Sequence, residues 1–326
     1  MPKSTDEKHH RMKNPVLSIG ISTYNQAPFI HRAITSVLSQ KTSYEHEIII
    51  SDDASTDDTE SIVKTFTAQH PKLIKYIRNA NRQGPSSNAR ILLNEAKGRY
   101  YCWLDADDYW CYDKKIQTQL DFLEQNPSYT GCFHDAQIIS SIDLTADTQN
   151  QLQVQKHGHW KSYSQFNTYT TDFFPWDVLQ RKIIPTASLV FRKIDVKQFF
   201  KNFEGIQLSL SWALQLEIIK DSKFRYFNEM WSVYNDHAEG FSKSVDLLTF
   251  KLNNIDILIR LLDDDYYKLI RKDVFKAIAN EYFYLLHCNE AKQKGKKEYY
   301  AWCNAYQAWM KKALKADIVS FKKEIQ

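Results

Sequence analysis

The segment that most constrains this chain is Tyr100–Trp110, which reads YYCWLDADDYW. Its first five residues are aromatic, aliphatic or cysteine, a run that predicts a strand buried on both faces. Three carboxylates follow within four positions, at Asp105, Asp107 and Asp108. Acidic residues at the carboxyl end of a parallel strand lie in the crevice where open α/β sheets bind ligands. The segment therefore predicts an α/β fold with an acidic site at one edge of its sheet.

The spacing of these acids indicates what the site could bind. Asp105 and Asp107 are two residues apart, so on an extended backbone their side chains point to the same side. Two carboxylates held that close repel each other unless a cation lies between them or one is protonated. Magnesium and similar hard cations bind one or two carboxylates together with phosphate oxygens. The alternative interpretation is a helix start, because acidic residues also favour the first turn of a helix.

Composition and charge limit the classes of function. The chain has 326 residues, 43% hydrophobic and 25% charged, which is typical of a soluble globular protein. Residues 1–250 carry 28 Lys and Arg against 29 Asp and Glu, whereas residues 251–326 carry 15 against 10. This balance does not indicate a nucleic-acid partner, but it makes the C-terminal segment mildly basic.

The cellular compartment is predicted from the cysteines and from the apolar segments. Five cysteines without a CxxC pair favour reduced thiols. The N-terminal sequence has no apolar leader core, and no run of 18 apolar residues occurs. We therefore expect a cytoplasmic protein whose contact with a membrane would be peripheral, at its inner face.

Strand and helix patterns alternate along the first 135 residues. Helices of about a dozen residues separate the early strands, which predicts βαβ units and a doubly wound, mostly parallel sheet. Residues 136–180 lack a clear period, and after residue 247 only helix patterns remain. Strands are predicted at 16–22, 47–50, 73–77, 100–104, 129–134, 186–192 and 224–227.

The last predicted helix carries aromatic residues at steps of three or four, with lysines beside them. They are Tyr299, Trp302, Tyr306 and Trp309. Such a stripe is typical of a helix packed on its own domain. It would also suit a basic amphipathic surface that meets a membrane or a second copy of the chain.

Four sequence motifs together carry a resemblance to a known family. Polar clusters at 22–25, 52–53 and 105–108 end three predicted parallel strands, so they should meet at one edge of the sheet. The stretches LSIGISTYNQAPFIHRAITSVLSQ, EIIISDDASTDDT, NRQG and GRYYCWLDADDYW resemble, in order and spacing, family 2 of the GT-A glycosyltransferases. The resemblance implies that residues 15–245 form a GT-A domain. It follows the predicted flexible tail 1–14 and precedes a C-terminal helical region, 246–326.

The same resemblance implies an inverting transfer from a nucleotide sugar, most plausibly a UDP-sugar, assisted by Mn²⁺ or Mg²⁺. Residues 15–135 would bind the nucleotide sugar, and residues 136–245 would bind the acceptor. The acceptor would be a saccharide, glycolipid or glycoprotein, as in surface polysaccharide synthesis. The implied nucleotide-sugar residues are Ser22, Tyr24, Asn25, Asp52, Asp53, Arg82, Arg90, Asp105 and Ala106, and the implied metal ligands are Asp105, Asp107 and His237.

Two positions depart from the family pattern. The family's Tyr-Arg-x-His motif reads Tyr234-Asn235-Asp236-His237 here, and the position of the usual base aspartate is Ser211. An unaided serine is a poor general base. Either Glu204 or Glu217 supplies the carboxylate, or the chain is a silent GT-A module that binds nucleotide or saccharide or scaffolds a partner enzyme. A nucleotidyltransferase is disfavoured, because the first strand is not followed by a glycine-rich basic loop.

Overall fold

The structure, a computed structural model, describes residues 15–140, 161–162, 171–180, 184–241 and 245–325. The predicted tail 1–14 and most of the aperiodic segment between 136 and 180 lie outside the described residues. The strands are β1 (Leu17–Thr23), β2 (His46–Asp52), β3 (Ile74–Arg78), β4 (Tyr100–Asp105), β5 (Tyr109–Trp110), β6 (Tyr129–Ser140), β7 (Lys161–Ser162), β8 (Asp172–Phe173), β9 (Val190–Arg192) and β10 (Lys223–Asp236).

Helices lie between the early strands and make up the described C-terminal part. They are α1 (Ala27–Leu38), α2 (Thr59–Gln69), α3 (Pro85–Glu95), α4 (Lys115–Gln125), α5 (Pro175–Gln180), α6 (Val196–Asn202), α7 (Leu210–Ile219), α8 (Leu247–Leu261), α9 (Asp265–Leu269), α10 (Arg271–His287), α11 (Asn289–Gln293) and α12 (Lys296–Ile325). Within the described residues, no helix is long and apolar enough to cross a membrane.

A single mixed sheet organises the chain. Its strand order is β3-β2-β1-β4-β9-β6-β10-β5, with β7 beside β6 and β8 beside β10. The first four strands pair in parallel, as do β6 and β10, while β9 and β5 run antiparallel to their neighbours. The prediction of an α/β fold with a mostly parallel sheet and C-terminal helices is therefore confirmed.

Apolar side chains fill both faces of this sheet because successive residues of a strand point to opposite faces. In β2, Ile48 and Ile50 are buried in one apolar cluster with Ile30 of α1, whereas Ile49 is buried in the other cluster. That second cluster extends into the C-terminal helices, where Tyr267 is fully buried and donates a hydrogen bond to the Leu216 carbonyl over 2.7 Å. The C-terminal helices thus share their core with the α/β part of the chain.

Two element predictions were wrong in extent. The strand expected at 186–192 is only β9, because residues 186–188 form a 3₁₀ turn held by the Ser188 hydroxyl, which donates to the Pro185 carbonyl. The short strand expected at 224–227 is instead the 14-residue β10. Register shifts within β10, between Phe227 and Ser232, interrupt its pairing with β6, and such irregularity weakens the alternating pattern.

The aromatic stripe of the last helix packs on the protein itself. The Trp309 ring lies 5.6 Å from Phe275, and the Tyr306 ring lies 6.2 Å from Phe283, both on α10. The Tyr299 hydroxyl donates to the Leu286 carbonyl over 3.4 Å. The stripe therefore supports the interpretation of intramolecular packing, and any further contact must use other faces of α12.

Gly98 makes a close approach that no larger residue would allow. A Cβ atom there would lie 2.6 Å from the Ser18 nitrogen and 2.8 Å from the Tyr100 carbonyl oxygen, both backbone atoms of the central strands. We expect Gly98→Ala to lower the free energy of unfolding by about 1–3 kcal/mol, since β1 and β4 must shift apart. Urea unfolding measures this change. Gly20→Ala is the control: its Cβ would meet only the Leu92 side chain, at 3.3 Å, so an equal loss there would contradict the backbone clash.

Candidate active site

The strand ends surround one large cavity. Ser22 of β1 pairs in register with both Ser51 of β2 and Asp105 of β4, so these strands end together. The cavity has a volume of about 500 Å³. Its lining includes Ser22, Thr23, Tyr24, Gln26, Asp53, Arg82, Ser86, Trp103, Asp105, Ala106, Asp107, Thr186, Gln207, Ser209, Ser211, Trp212, Gln215, Asn235, Asp236, His237, Glu239, Phe241 and Val245. Thus Asp53 and Asp107, from separate segments, share one cavity.

The Asp53 carboxylate fixes the loop that follows β3. It accepts hydrogen bonds from the Asn79 side chain, the Gln83 backbone and the Gly84 backbone, at 2.9, 2.7 and 2.8 Å. Gly84 has φ of +89°, a conformation that glycine adopts without steric strain, and the next residue begins α3. A carboxylate has about four acceptor positions, so three bonds leave room for a donor from a ligand.

An aromatic ring and a cation face each other beside this carboxylate. The guanidinium of Arg82 lies 4.2 Å from the centre of the Tyr24 ring, and both side chains line the cavity. Arg82 belongs to the loop that Asp53 holds. The arrangement offers a flat ring and a cation within one wall, which suits a planar, negatively charged ligand.

Burial and mutual repulsion perturb the acids that follow β4. Burial, and then the charge of Asp107, raise the pKa of Asp105 to about 6, although the Ser22 hydroxyl donates to this carboxylate over 2.6 Å. Burial, and then the charges of Asp107 and Asp105, raise the pKa of Asp108 well above its usual value. Asp108 also accepts the Asn235 backbone N–H over 3.0 Å, which ties β10 to the acidic turn.

The tie to β10 brings His237 beside the acids. Its Nε2 lies 3.0 Å from an Asp107 oxygen, and its Nδ1 lies 3.3 Å from Glu239. The imidazole is 4% exposed, and the Phe29 ring packs against it with 4.7 Å between centroids. Each ring nitrogen of His237 therefore faces a carboxylate, and either tautomer finds an acceptor.

The three predicted metal ligands do not form a ready-made cage. In the part of the chain that the structure describes, no group of three or more His, Cys, Asp or Glu side chains is arranged to hold a metal ion. Asp105 is engaged with Ser22, whereas Asp107 is engaged with His237. The donor set, carboxylates with one imidazole, still fits Mn²⁺ or Mg²⁺, because such ions complete their shell with phosphate oxygens and water.

Three predicted nucleotide-sugar residues do not line the cavity. Asp52 is fully buried and accepts hydrogen bonds from the Ser55 backbone, the Ser55 hydroxyl and the Tyr76 hydroxyl. Asn25 is exposed and accepts from the Thr56 backbone N–H over 2.8 Å. The guanidinium of Arg90 lies over the Phe200 ring, at 4.5 Å. In each case these contacts hold the side chain away from the cavity.

The three residues considered for the role of the base occupy different places. Ser211 lines the cavity, but neither Glu204 nor Glu217 does. Glu204 is exposed, and Glu217 forms an ion pair of 2.6 Å with Lys220 at the far end of α7. The described wall contributed by residues 184–215 carries no carboxylate at the cavity.

Several cavity residues were not singled out from the sequence. Two are carboxylates, Asp236 and Glu239, which follow from the length of β10 and the turn after it. Others carry buried polar atoms that have no hydrogen-bond partner: the hydroxyls of Thr23 and Ser86 and the side-chain oxygen of Asn235. Buried polar atoms without partners are rare, so they mark places where a polar ligand can bind. Only the Tyr-x-x-His motif hinted at this side of the cavity.

The family model for glycosyl transferase family 2 matches residues 18–195. An uncharacterised glycosyltransferase of Nostoc is 39% identical over 185 residues, which are 56% of this chain and 53% of the relative. An uncharacterised protein of Mycobacterium tuberculosis is 27% identical over 69% of this chain, and the match spans 60% of its own length. An Escherichia coli relative, the UDP-Glc:alpha-D-GlcNAc-diphosphoundecaprenol beta-1,3-glucosyltransferase WfaP, is 40% identical over 33% of this chain and 41% of its own.

Solved structures share the fold. Staphylococcus aureus TarS 1–349, in complex with UDP-GlcNAc, superposes with a TM-score of 0.65 at 16% identity, over 90% of this chain and 80% of that one. Its complex with UDP gives a TM-score of 0.64 at 15% identity, over 89% and 78%. At these identities the likeness establishes the fold alone. The family match, which covers more than half of the chain, establishes membership: this protein belongs to glycosyl transferase family 2.

Proposed function

We propose that this protein is a metal-dependent, inverting glycosyltransferase that moves a sugar from a nucleotide sugar to a saccharide, glycolipid or glycoprotein acceptor. The observation that carries the proposal is the shared cavity, which is lined by Tyr24 and Asp53 and also by Asp105, Asp107 and His237. An acceptor hydroxyl would attack the anomeric carbon as the nucleoside diphosphate leaves. The hydroxyl proton would pass to a base.

A uridine donor suits the nucleotide side best. Asp53 retains acceptor capacity after its three hydrogen bonds, and an ionised carboxylate only accepts hydrogen bonds, so it suits a donor such as the N–H of uracil. Tyr24 would stack on the base, and Arg82 would face the diphosphate. The donor in the TarS complex and the donor named for WfaP are both UDP-sugars, which supports this choice.

The diphosphate would be held with a divalent cation at Asp105, Asp107 and His237. When bound, Mn²⁺ or Mg²⁺ neutralises the charge that develops on the leaving diphosphate. The protein's part is to supply the carboxylates and a neutral imidazole. Glu239 can accept the Nδ1–H of His237 over 3.3 Å, which would leave the Nε2 lone pair for the cation.

The acceptor side would be the neutral wall of the cavity. Thr186, Gln207, Ser211 and Gln215 offer hydroxyl and amide groups there, next to the Trp212 ring. Such a surface suits saccharide hydroxyls, which both donate and accept hydrogen bonds. The acceptor named for WfaP is a sugar on diphosphoundecaprenol, which supports a lipid-linked saccharide among the acceptor classes.

The base would come from outside α7. Besides the donor and metal acids, the carboxylates that line the cavity among the described residues are Asp236 and Glu239. Neither Glu204 nor Glu217 could reach an acceptor in this conformation. A catalytically silent module that binds a nucleotide or a saccharide is the second candidate, and the neutral Ser211 is the observation that favours it.

Donor binding is the first test. We expect UDP-sugars with Mn²⁺ to raise the melting temperature by several degrees at 100-fold excess over Kd, since ligand that binds only the folded state stabilises it by about 2.7 kcal/mol. GDP- and dTDP-sugars should raise it less. Asp107→Asn should remove the part of the shift that depends on Mn²⁺, while Asp113→Asn, which changes a partly exposed acid paired with Lys41, should not. An unchanged shift in Asp107→Asn would contradict the metal assignment.

The pH dependence of stability tests the acidic turn. Because the pKa of Asp105 is raised to about 6 in the folded protein, the folded state binds more protons than the unfolded state between about pH 4 and 6, and stability falls as pH rises through that window. Without metal at pH 7.5, Asp105→Asn should therefore be more stable than the parent by about 1–3 kcal/mol. This advantage should vanish below about pH 4.

Chemical denaturation of the parent and of Asp105→Asn across pH, with and without Mn²⁺, measures this difference in stability. Mn²⁺ should stabilise the parent strongly at pH 7.5 and weakly at pH 5, because protons compete for Asp105, and it should stabilise Asp105→Asn little at either pH. Asp113→Asn serves again as the control and should gain nothing at pH 7.5, since Lys41 holds the pKa of that carboxyl below its usual value. Equal pH profiles for the parent and Asp105→Asn would exclude the raised pKa.

Transfer kinetics distinguish the two candidate functions. If the base lies outside α7, Asp236→Asn or Glu239→Gln should lower kcat for transfer by about 10²-fold or more. Ser211→Asp should then not raise kcat. If the natural chain is silent, it should bind donor without transfer, and Ser211→Asp should create activity. Gln207→Glu is the matched control, because it places a similar charge elsewhere on the same wall.

A further inference from the structure

Exposed aromatic and aliphatic side chains occur in the cavity wall and on two of the helices that follow it. Phe241 lines the cavity and is 45% exposed, and Leu247, in the first turn of α8, is also 45% exposed. On α10, Tyr284 is 57% exposed. Large apolar side chains that remain this exposed near one another are typical of contact sites.

A cation–π contact and an ion pair join the two helices at this place. Leu247 and Lys251 are four residues apart on α8, so they share one face of the helix. The Lys251 ammonium lies 4.7 Å from the centre of the Tyr284 ring and pairs with Glu281 at 3.1 Å. Leu247 therefore lies one helical turn before the residue that contacts Tyr284.

Four lysines border this apolar group. Lys292, Lys294, Lys296 and Lys297 lie within one stretch of six residues after α10, and all four are exposed. Among the residues that the structure describes, none of the four forms an ion pair. Hydrogen bonds from Thr249, and also the nearby Lys294 charge, lower the pKa of Asp246, the residue that caps α8. Lys294 thus lies near the start of α8, where Val245, two residues before Leu247, lines the cavity.

We propose that this basic and aromatic surface, made of Leu247, Tyr284, Lys292, Lys294, Lys296 and Lys297, docks on the anionic face of a lipid bilayer. Unpaired lysines are attracted to anionic headgroups, and their aliphatic stems can lie along the interface while the ammonium groups stay in water. Tyrosine and leucine side chains insert at the headgroup level.

The positive charge of this surface favours a bilayer, rather than a second copy of the chain, as its partner. Two copies meeting face to face would bring eight unpaired lysines together, and like charges across an interface repel. The docking stays peripheral, because no described helix could span the membrane. Since Phe241 and Val245 connect the surface to the cavity, docking would hold the cavity mouth at the level of the headgroups.

Vesicle co-sedimentation of the full chain, without donor or metal, tests the proposal. We expect binding to phosphatidylcholine vesicles that contain about 30% phosphatidylglycerol, little binding to phosphatidylcholine alone, and loss of binding in high salt. The variant Lys292→Gln, Lys294→Gln, Lys296→Gln, Lys297→Gln should weaken the partition coefficient by about 100-fold. Leu247→Ser should weaken it by about tenfold and leave the salt dependence unchanged.

A matched variant controls for total charge. Lys72, Lys193, Lys197 and Lys201 are exposed and without ion pairs in the described part of the chain, but they lie on other elements. Changing these four to Gln should leave vesicle binding at the parent level. The proposal would be overturned if both quadruple variants lost vesicle binding equally, or if the variant at Lys292, Lys294, Lys296 and Lys297 bound as well as the parent. It would also be overturned if the parent did not bind anionic vesicles. UDP-sugar thermal shifts of the same variants should stay unchanged, so this result is independent of the proposed donor site.

Discussion

The structure depends on how it accommodates negative charge at the end of its central strand. Asp105, Asp107 and Asp108 leave β4 within four residues, and burial works against the ionised form of the first and third. Hydrogen bonds offset part of this cost: the Ser22 hydroxyl donates to Asp105, and the Asn235 backbone N–H donates to Asp108. A bound cation would relieve the remaining repulsion. Without it, these carboxylates make the folded protein less stable than neutral side chains at the same positions would. This compromise between stability and ligand binding is common at functional sites.

The same hydrogen bonds explain why the second half of the chain is needed. β10 enters the sheet beside β6, far from β4 in strand order, yet its end is tied to the acidic turn through Asp108. That tie carries His237 to Asp107 and places Asp236 and Glu239 in the cavity wall. The C-terminal helices support this arrangement, because Tyr267 packs in the core that also holds α7. The cavity is therefore built by segments from both halves of the α/β part, with the C-terminal helices packed behind α7.

The contrast between the two sides of the cavity is chemical. The acids cluster around β1, β2, β4 and the end of β10, whereas the wall from residues 184–215 is neutral. A strongly acidic region attracts a cation and its diphosphate, while neutral hydroxyl and amide groups bind hydroxyl-rich ligands without a charge preference. In the proposed reaction the base must then come from the acidic side, and Ser211 would contact the acceptor without taking its proton.

The sequence alone predicted the parallel strands and the convergence of their polar ends, because period-two and period-3.6 patterns are local and a parallel sheet gathers its carboxyl ends at one edge. It did not separate neighbours such as Asp52 and Asp53. Successive side chains of a strand end point in different directions, and only the surrounding contacts show that Asp52 is bound by Ser55 and Tyr76 while Asp53 faces the cavity.

Tertiary structure alone decided which residues form the neutral wall of the cavity and which further carboxylates line it. Glu217 was a reasonable candidate from its helix, yet it does not line the cavity and forms an ion pair with Lys220 at the end of the same helix. Asp236 stands inside the Tyr-x-x-His motif but was given no role, and Glu239 carries no local signal. Both reach the cavity because β10 is long and tied to the acidic turn. Local patterns determined which elements form, whereas packing between elements distant in sequence determined which side chains share the cavity.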